Sequence, residues 1–206
     1  MTVFSKMFGK SRVGPLGIRE LILESAVGVL VSNGLSTFSL SSVASRAEIS
    51  SGALFTHFPT RTALVGEMCK YLFDKLEKEF VKVEIDPNST PGDRVEDLID
   101  AVVGIYSDTR MLAALELYGA CRTDQDLSKF LSEIDRERSP HHVNLAELII
   151  SAPHVSHDEI ARFVHLVVFS VQGMALDSLA NRDPQIAQVL RDYLVELGRK
   201  LVEPHA

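Results

Sequence analysis

A chain of 206 residues corresponds to about 1.4 domains at roughly 150 residues per domain, and 46% apolar residues are enough to build a packed core. With 24% charged residues, 7% aromatics and no tryptophan, the totals exclude a disordered chain and suggest no aromatic-rich sugar-binding or β-sandwich surface. The net charge of −7 is unevenly placed: residues 1–64 hold Lys6, Lys10, Arg12, Arg19, Arg46 and Arg61 against Glu20, Glu24 and Glu48, whereas 65–206 hold 15 basic and 25 acidic residues. A basic front on an acidic body is what a chain touching a polyanion with one end shows.

Cys69 and Cys121 form no Cys-x-x-Cys pair, so free thiols are expected. The longest apolar run, Val164 to Val171, includes His165 and Ser170 and is far shorter than the roughly 20 residues of a membrane helix, so no membrane partner is expected. Lys6, Lys10 and Arg12 are not followed by an apolar stretch of about seven residues, which argues against a secretory signal and for a cytoplasmic location.

Helical periodicity appears almost everywhere, and the chain reads as all-α. A first helix is expected over Leu16 to Ser32, with Ile18, Leu21, Ile22, Ser25, Val29 and Leu30 on one face and Asn33-Gly34 as a left-handed stop. Ser39 then precedes a two-turn segment with Leu40, Val43, Ala44 and Ala47, interrupted by Glu48-Ile49-Ser50, and Ser51 to His57 makes another short piece closed by Phe58-Pro59. Thr60 should cap a long helix to about Val83, with Leu64, Met68, Tyr71, Leu72, Leu76 and Phe80 on its buried side.

Residues 84–92 form the best linker of the chain. Thr90, Pro91 and Asp93 predict a capping box opening a helix to about Tyr106. Arg110–Ala120 and Gln125–Arg138 follow, with Ser139-Pro140 expected to break or kink the latter before His141–Ile150. Ser156-x-x-Glu159 opens a helix to about Asn181, and Asp183-Pro184 opens one to about Val202. Apolar spacings of four and three recur along both: Ile160, Phe163, Val164, Val167, Val168 and Val171, then Ile186, Leu190, Tyr193, Leu194, Leu197 and Leu201. Core packing and pairing with a second copy both account for them; in the latter case Val167, Val171, Ile186, Leu190, Tyr193, Leu194 and Leu197 form the homodimer interface.

Two short helices joined by a three-residue turn between longer helices are what a helix-turn-helix requires. Val43, Ala44 and Ala47 supply small inward residues, and Leu54 and Phe58 supply anchors. Ser50, Ser51, Gly52, Ala53, Thr56 and His57 leave an outer face free of bulk, with hydroxyls to offer phosphates or base edges.

The block from Arg19 to Leu64 has Gly34, Val43-Ala44, Ala47-Glu48-Ile49-Ser50, Gly52-Ala53-Leu54-Phe55, His57-Phe58-Pro59 and Arg61-x-x-Leu64. It resembles the DNA-binding domain of TetR-family transcriptional regulators. The resemblance implies an N-terminal three-helix helix-turn-helix domain over 16–64 behind a basic arm at 1–15. A C-terminal ligand-binding and dimerisation bundle over 65–206 would bring the total to about nine helices. It also implies a homodimer that represses transcription from a palindromic double-stranded operator and is released by a small-molecule effector. Position by position, Ser39 would cap the second helix and Ser41 would lie near the DNA backbone. Ser51, Gly52, Ala53, Phe55, Thr56 and His57 would occupy the recognition helix, and Arg61 would hold a phosphate. Phe55 stands where the family usually has tyrosine, Arg61 where it usually has lysine, and Glu48 where it has the turn glycine. A glutamate forced to positive φ costs about 1 kcal/mol.

For an effector pocket, polar interruptions on apolar helices are the natural candidates: Glu116, His165, Ser170 and Gln172, with Tyr106, Tyr118, Phe130, Phe163 and Phe169 as walls. Pairing of Glu116 with Arg122 or Arg162 is the structural alternative. An enzyme or metal protein using His141, His142, His154, His157, His165 and Asp158-Glu159 is the competing class, and a helical adaptor that keeps only the shape is a third. No nucleophile elbow, phosphate loop or dinucleotide fingerprint occurs, so no catalytic residue, metal or cofactor is expected.

Overall fold

The computed structural model describes residues 17–80, 86, 88–180 and 183–203. Among them the chain forms nine α-helices: α1 (Ile18–Asn33), α2 (Leu40–Arg46), α3 (Ser51–His57), α4 (Arg61–Phe80), α5 (Pro91–Tyr106), α6 (Thr109–Ala120), α7 (Gln125–Ile150), α8 (His157–Ala180) and α9 (Pro184–Val202). The expected basic arm with Lys6, Lys10 and Arg12 lies outside the described residues.

The caps anticipated from sequence are formed. Ser39 accepts from Ser42 N–H at 3.1 Å and Thr60 Oγ1 from Ala63 N–H at 3.1 Å. The Thr90 hydroxyl accepts from Asp93 N–H at 3.1 Å, and the Glu159 carboxylate accepts from Ser156 N–H at 3.0 Å, each closing a capping box. Asp183 accepts from Gln185 N–H at 2.9 Å. Each bond satisfies a backbone donor that the first helical turn cannot pair internally. Gly34 stops α1 at φ 72, where only glycine sits without a steric penalty.

The described residues fall into two compact units. The first takes those up to 81 with 116–130, and the second takes those of 82–115 with 131–206, so α6 and α7 are divided between them. In the first, α1 packs on α2 and α4, and α2 on α3. Its core is Ile22, Leu30, Val43, Leu54, Phe58, Leu64, Met68 and Leu72, all but removed from water. Ile18 and Leu21, expected on the inner face of α1, are exposed; Leu23, Ala26 and Val27 are buried instead. Tyr71 is half-buried and donates its hydroxyl to Glu24 at 2.6 Å. The side chain of Phe80 lies outside the described residues.

In the second unit α5, α8 and α9 pack on one another. At Gly198 the backbone of α9 comes close to both neighbours: a Cβ there would lie 2.4 Å from Val95 and 2.5 Å from the Phe163 ring. Arg191 bridges to Asp100 at 2.6 Å and Glu96 at 2.9 Å, and Arg199 to Glu96 at 2.8 Å and Asp93 at 3.0 Å. The Arg199 and Arg191 guanidinium groups hold the Glu96 carboxyl below its ordinary range.

Two expectations need correction. Pro140 does not interrupt α7, which runs as one helix from Gln125 to Ile150. Buried Leu127, Leu131 and Ile134 before it and Val143, Ala146, Ile149 and Ile150 after it keep the helix packed on both sides of the missing N–H. The predicted interface residues Val167, Val171 and Leu194 are buried within the chain's own core. Helix α9 carries two apolar stripes, an inner one of Leu194, Val195, Gly198 and Val202 and an outer one of Ile186, Val189, Leu190 and Tyr193. On α8 the outer stripe is Leu166, Phe169, Leu176 and Leu179. That double stripe makes α8 long and apolar enough to cross a membrane by length and composition, which the run Val164–Val171 alone does not indicate.

Candidate nucleic-acid interface

Helices α2 and α3 are held by short-range bonds. Beyond its cap, Ser39 Oγ lies 3.0 Å from Ser41 Oγ, which keeps two hydroxyls together at the exposed start of α2. At the other end, Ala47 closes the helix and Glu48 turns the chain with φ 54. Glu48 N–H donates to Ser45 C=O at 3.2 Å and Ile49 N–H to Ala44 C=O at 3.1 Å. These are the two bonds of a Schellman motif, whose left-handed residue is usually glycine. The conformation anticipated for Glu48 is therefore present, with its carboxylate exposed on the turn.

Ser50 begins α3 by accepting from Ala53 N–H at 3.1 Å. Leu54 and Phe58 are buried, fixing the inner face, while Ser51, Gly52, Phe55 and Thr56 are exposed and Ala53 and His57 half-buried. Thr56 donates its hydroxyl to Gly52 C=O at 3.0 Å, and a Cβ on Gly52 would meet nothing nearer than Ser50 Oγ at 3.9 Å. The surface of α3 is thus open to close approach.

Arg61, exposed at the start of α4, donates Nε–H to Phe38 C=O at 3.4 Å with its guanidinium 5.7 Å from the Phe38 ring centroid. Its charge sits by the N-terminal end of α4, where unpaired N–H groups add positive potential.

Arg19 was not singled out from sequence. Its guanidinium lies 4.5 Å from the Phe58 ring centroid, donates to His57 C=O at 3.4 Å and pairs with Glu67 at 3.2 Å, tying α1 to the end of α3 and to α4. Three partners on two elements distant in sequence leave no local pattern from which to find it.

The residues considered for an effector pocket are divided between the two units, with Glu116, Tyr118 and Phe130 in the first and Tyr106, Phe163, His165, Phe169 and Gln172 in the second. Tyr118 packs edge-on against Phe73, with centroids 6.2 Å apart, and the Phe130 ring lies over Gly66 of α4. Glu116 is exposed and accepts from Leu35 N–H at 2.8 Å, in the turn after α1, rather than pairing with Arg122 or Arg162. In the second unit Tyr106 is half-buried, and burial together with the charge of Asp135 pushes its phenol up to about 12. Phe163 is a core residue against Gly198. His165 is exposed, stacks on exposed Phe169 at 6.2 Å and meets the Ser139 hydroxyl at 3.1 Å. Gln172 is half-buried. His157 pairs with Glu147 at 3.0 Å, and among the described residues no three His, Cys, Asp or Glu side chains converge as metal ligands would.

Residues 22–68 match the family model described as bacterial regulatory proteins, tetR family, which spans α1 through the first half of α4. The HTH-type transcriptional regulator CymR of Pseudomonas putida is 23% identical over 180 residues, covering 87% of this chain and 88% of CymR. Over residues 22–68 the chain is similar to the tetR family of bacterial regulatory proteins. Among solved structures, a transcriptional regulator from Rhodococcus sp. Rha1 superposes with TM-score 0.72 at 19% identity, covering 91% of this chain and 99% of that one. The multidrug binding protein EbrR, solved in complex with imidazole, gives TM-score 0.62 at 17% identity over 93% and 98% of the two chains. The protein is a DNA-binding transcriptional regulator whose described residues form an all-α, TetR-like fold.

Proposed function

We propose that this regulator is a homodimeric TetR-family repressor, acting in the cytoplasm, that leaves a palindromic double-stranded DNA operator when a small molecule binds its C-terminal domain. Residues 16–64 are the DNA-binding domain in this reading and 65–206 the ligand-binding and dimerisation domain. Helix α3 enters the major groove with Ser50, Ser51, Gly52, Ala53, Phe55, Thr56 and His57. Ser39, Ser41 and Arg61 hold the flanking phosphates.

The outer stripes of α8 and α9 support the dimer. Leu166, Phe169, Leu176, Leu179, Ile186, Val189, Leu190 and Tyr193 are all exposed on two helices that pack on each other, the kind of apolar exposure that marks an interaction surface. A twofold copy laid on that face buries it, and the operator is palindromic because the protein is. Ile186, Leu190 and Tyr193 keep the interface role expected from sequence, while Leu166, Phe169, Leu176, Leu179 and Val189 replace Val167, Val171 and Leu194. Half-buried Leu197 sits at its edge.

The observation that carries effector release is the bond from Leu35 N–H to Glu116. Glu116 follows Leu115 and precedes the Tyr118 ring packed on Phe73 of α4. A ligand seated among Tyr118, Phe130 and α4 that rotates α6 withdraws this acceptor from the turn between α1 and α2. Two recognition helices set for half-sites about 34–36 Å apart then no longer match them. EbrR, bound to imidazole in its structure, shows a neighbour of the same fold taking a small molecule.

The test is a small-molecule library screened by thermal shift, with each stabilising compound then added to protein bound to a promoter duplex. A compound that stabilises the wild type and releases the duplex is expected to stabilise Glu116→Gln equally but release it less. Compounds that bind without changing duplex affinity in either protein contradict release.

A further inference from the structure

Helix α3 exposes Ser51, Gly52, Phe55 and Thr56, positions that repeat after four residues and so share one face. Hydrogen-bonded reading of base edges relies on Arg or Lys for guanine and on Asn or Gln for adenine. None of these four residue types occurs from Ala47 to Thr60. The hydroxyls on α3 are partly committed already: Ser50 Oγ accepts from Ala53 N–H, and the Thr56 hydroxyl donates to Gly52 C=O. With that hydroxyl turned onto its own backbone, Thr56 offers its methyl group. At the centre of the face stands the phenyl ring of Phe55, 49% exposed and without a donor or acceptor for a phosphate or a base edge. Gly52, one turn earlier, leaves open space beside it.

A face of this composition can still distinguish bases, because thymine alone carries a methyl group into the major groove. We infer that Phe55, assisted by the Thr56 methyl, reads the 5-methyl groups of thymine, so that operator half-sites carry thymine where the middle of α3 docks. Burial of an exposed phenyl ring against a methyl group removes apolar surface from water on both sides, which is favourable without any hydrogen bond. Arg61 supplies charge that attracts DNA of any sequence, whereas the methyl contact supplies a preference. The inference rests on α3 being the groove-facing helix.

The experiment is a selection by the full-length protein from a library of randomised duplexes, after which the preferred duplex is resynthesised with deoxyuridine in place of thymine, singly and throughout. Deoxyuridine removes only the methyl group and keeps every base-edge donor and acceptor. One such replacement, made in one half-site only, is expected to weaken wild-type binding about fourfold, the effect of one apolar group returned to water. Phe55→Ala should bind the thymine duplex more weakly and lose the preference at that position, while Phe55→Leu should retain much of it. Because Phe55 is exposed, both variants should keep wild-type helix content, checked by circular dichroism. Wild-type protein that binds thymine and deoxyuridine duplexes equally, or Phe55→Ala that discriminates them as well as wild type, would overturn the inference alone. Selection that enriches no duplex would overturn it together with the groove assignment of α3.

Discussion

Helices α3 and α9 both leave apolar side chains in water, but on different scales. On α3 a single phenyl ring stands among small hydroxyl residues and a glycine, a surface that fits a polar groove offering isolated methyl groups. On α9 an unbroken stripe from Ile186 to Tyr193 lies open, and α8 adds Leu166, Phe169, Leu176 and Leu179. Such a stripe suits another stripe of the same kind. The two helices also differ in what holds them: α3, seven residues long, depends on its Ser50 cap and on Leu54 and Phe58, whereas α9 is fastened along its length by Arg191, Arg199 and the close approach at Gly198. Exposed apolar surface therefore has to be judged by its extent and its neighbours before it is assigned a partner.

The sharpest way to break this comparison is to remove the support of α3. Phe58→Ala should destabilise the protein by about 3–5 kcal/mol, because the ring is 1% exposed and its loss leaves a cavity beneath α3. Urea denaturation followed by circular dichroism would measure it, and DNA binding should fall with the folded fraction. Next in size is Val189→Glu with Leu190→Glu, which places charges on the outer stripe of α9. Sedimentation should show two-chain particles replaced by single chains at micromolar concentration, a loss of at least about 2–4 kcal/mol of association, with helix content unchanged.

Arg61→Ala is expected to cost about 1.5–2 kcal/mol on specific and random DNA alike and to lower the salt slope by about one per protomer. Thr56→Ala, in contrast, should change the ratio between sites; equal shifts on all sequences from both substitutions would contradict the separate roles. Glu48→Gly should stabilise the turn by about 1 kcal/mol by relieving a non-glycine residue at φ 54, and should tighten DNA binding by removing a carboxylate. The smallest effect concerns the α5–α9 ion pairs. Thr90 and Arg199 hold the Asp93 carboxyl below its ordinary range, and Arg199 and Arg191 do so for Glu96. Folded values below the unfolded ones mean that this stabilisation is present above about pH 4.5 and is lost as pH falls through the depressed values. Arg199→Ala should therefore lower the thermal midpoint only slightly at pH 5–8, because exposed ion pairs are screened by solvent, and the gap from wild type should close toward pH 3.

The helix-turn-helix was legible because its determinants are local. Ser39, Ser50 and Thr60 cap within three residues, Gly34 and Glu48 take left-handed conformations at predictable helix ends, and Leu54 and Phe58 are one turn apart. What remained hidden depends on neighbours distant in sequence. Periodicity marks apolar positions on α9 but cannot tell an inner stripe from an outer one; the choice follows from Gly198 meeting Val95 and Phe163, and from arginines whose charges are met on α5. Ser139-Pro140 predicts a break or kink in α7 because the rule for proline is local, whereas the packing that keeps the helix from breaking is not. Arg19 and Glu116 bond to backbone carbonyl and amide groups 38 and 81 residues away, and no pattern in sequence announces such contacts.

The most direct test of the central claim, that this is a dimeric regulator recognising specific DNA, is a titration of the purified protein against its own upstream promoter fragment. A random fragment of equal length serves as the reference, at about 50 and 200 mM salt. Two protomers should bind per promoter site, with a clear preference for the promoter and a steep loss of affinity at the higher salt for both fragments. Equal affinity for the two fragments, or one protomer per site, would contradict it.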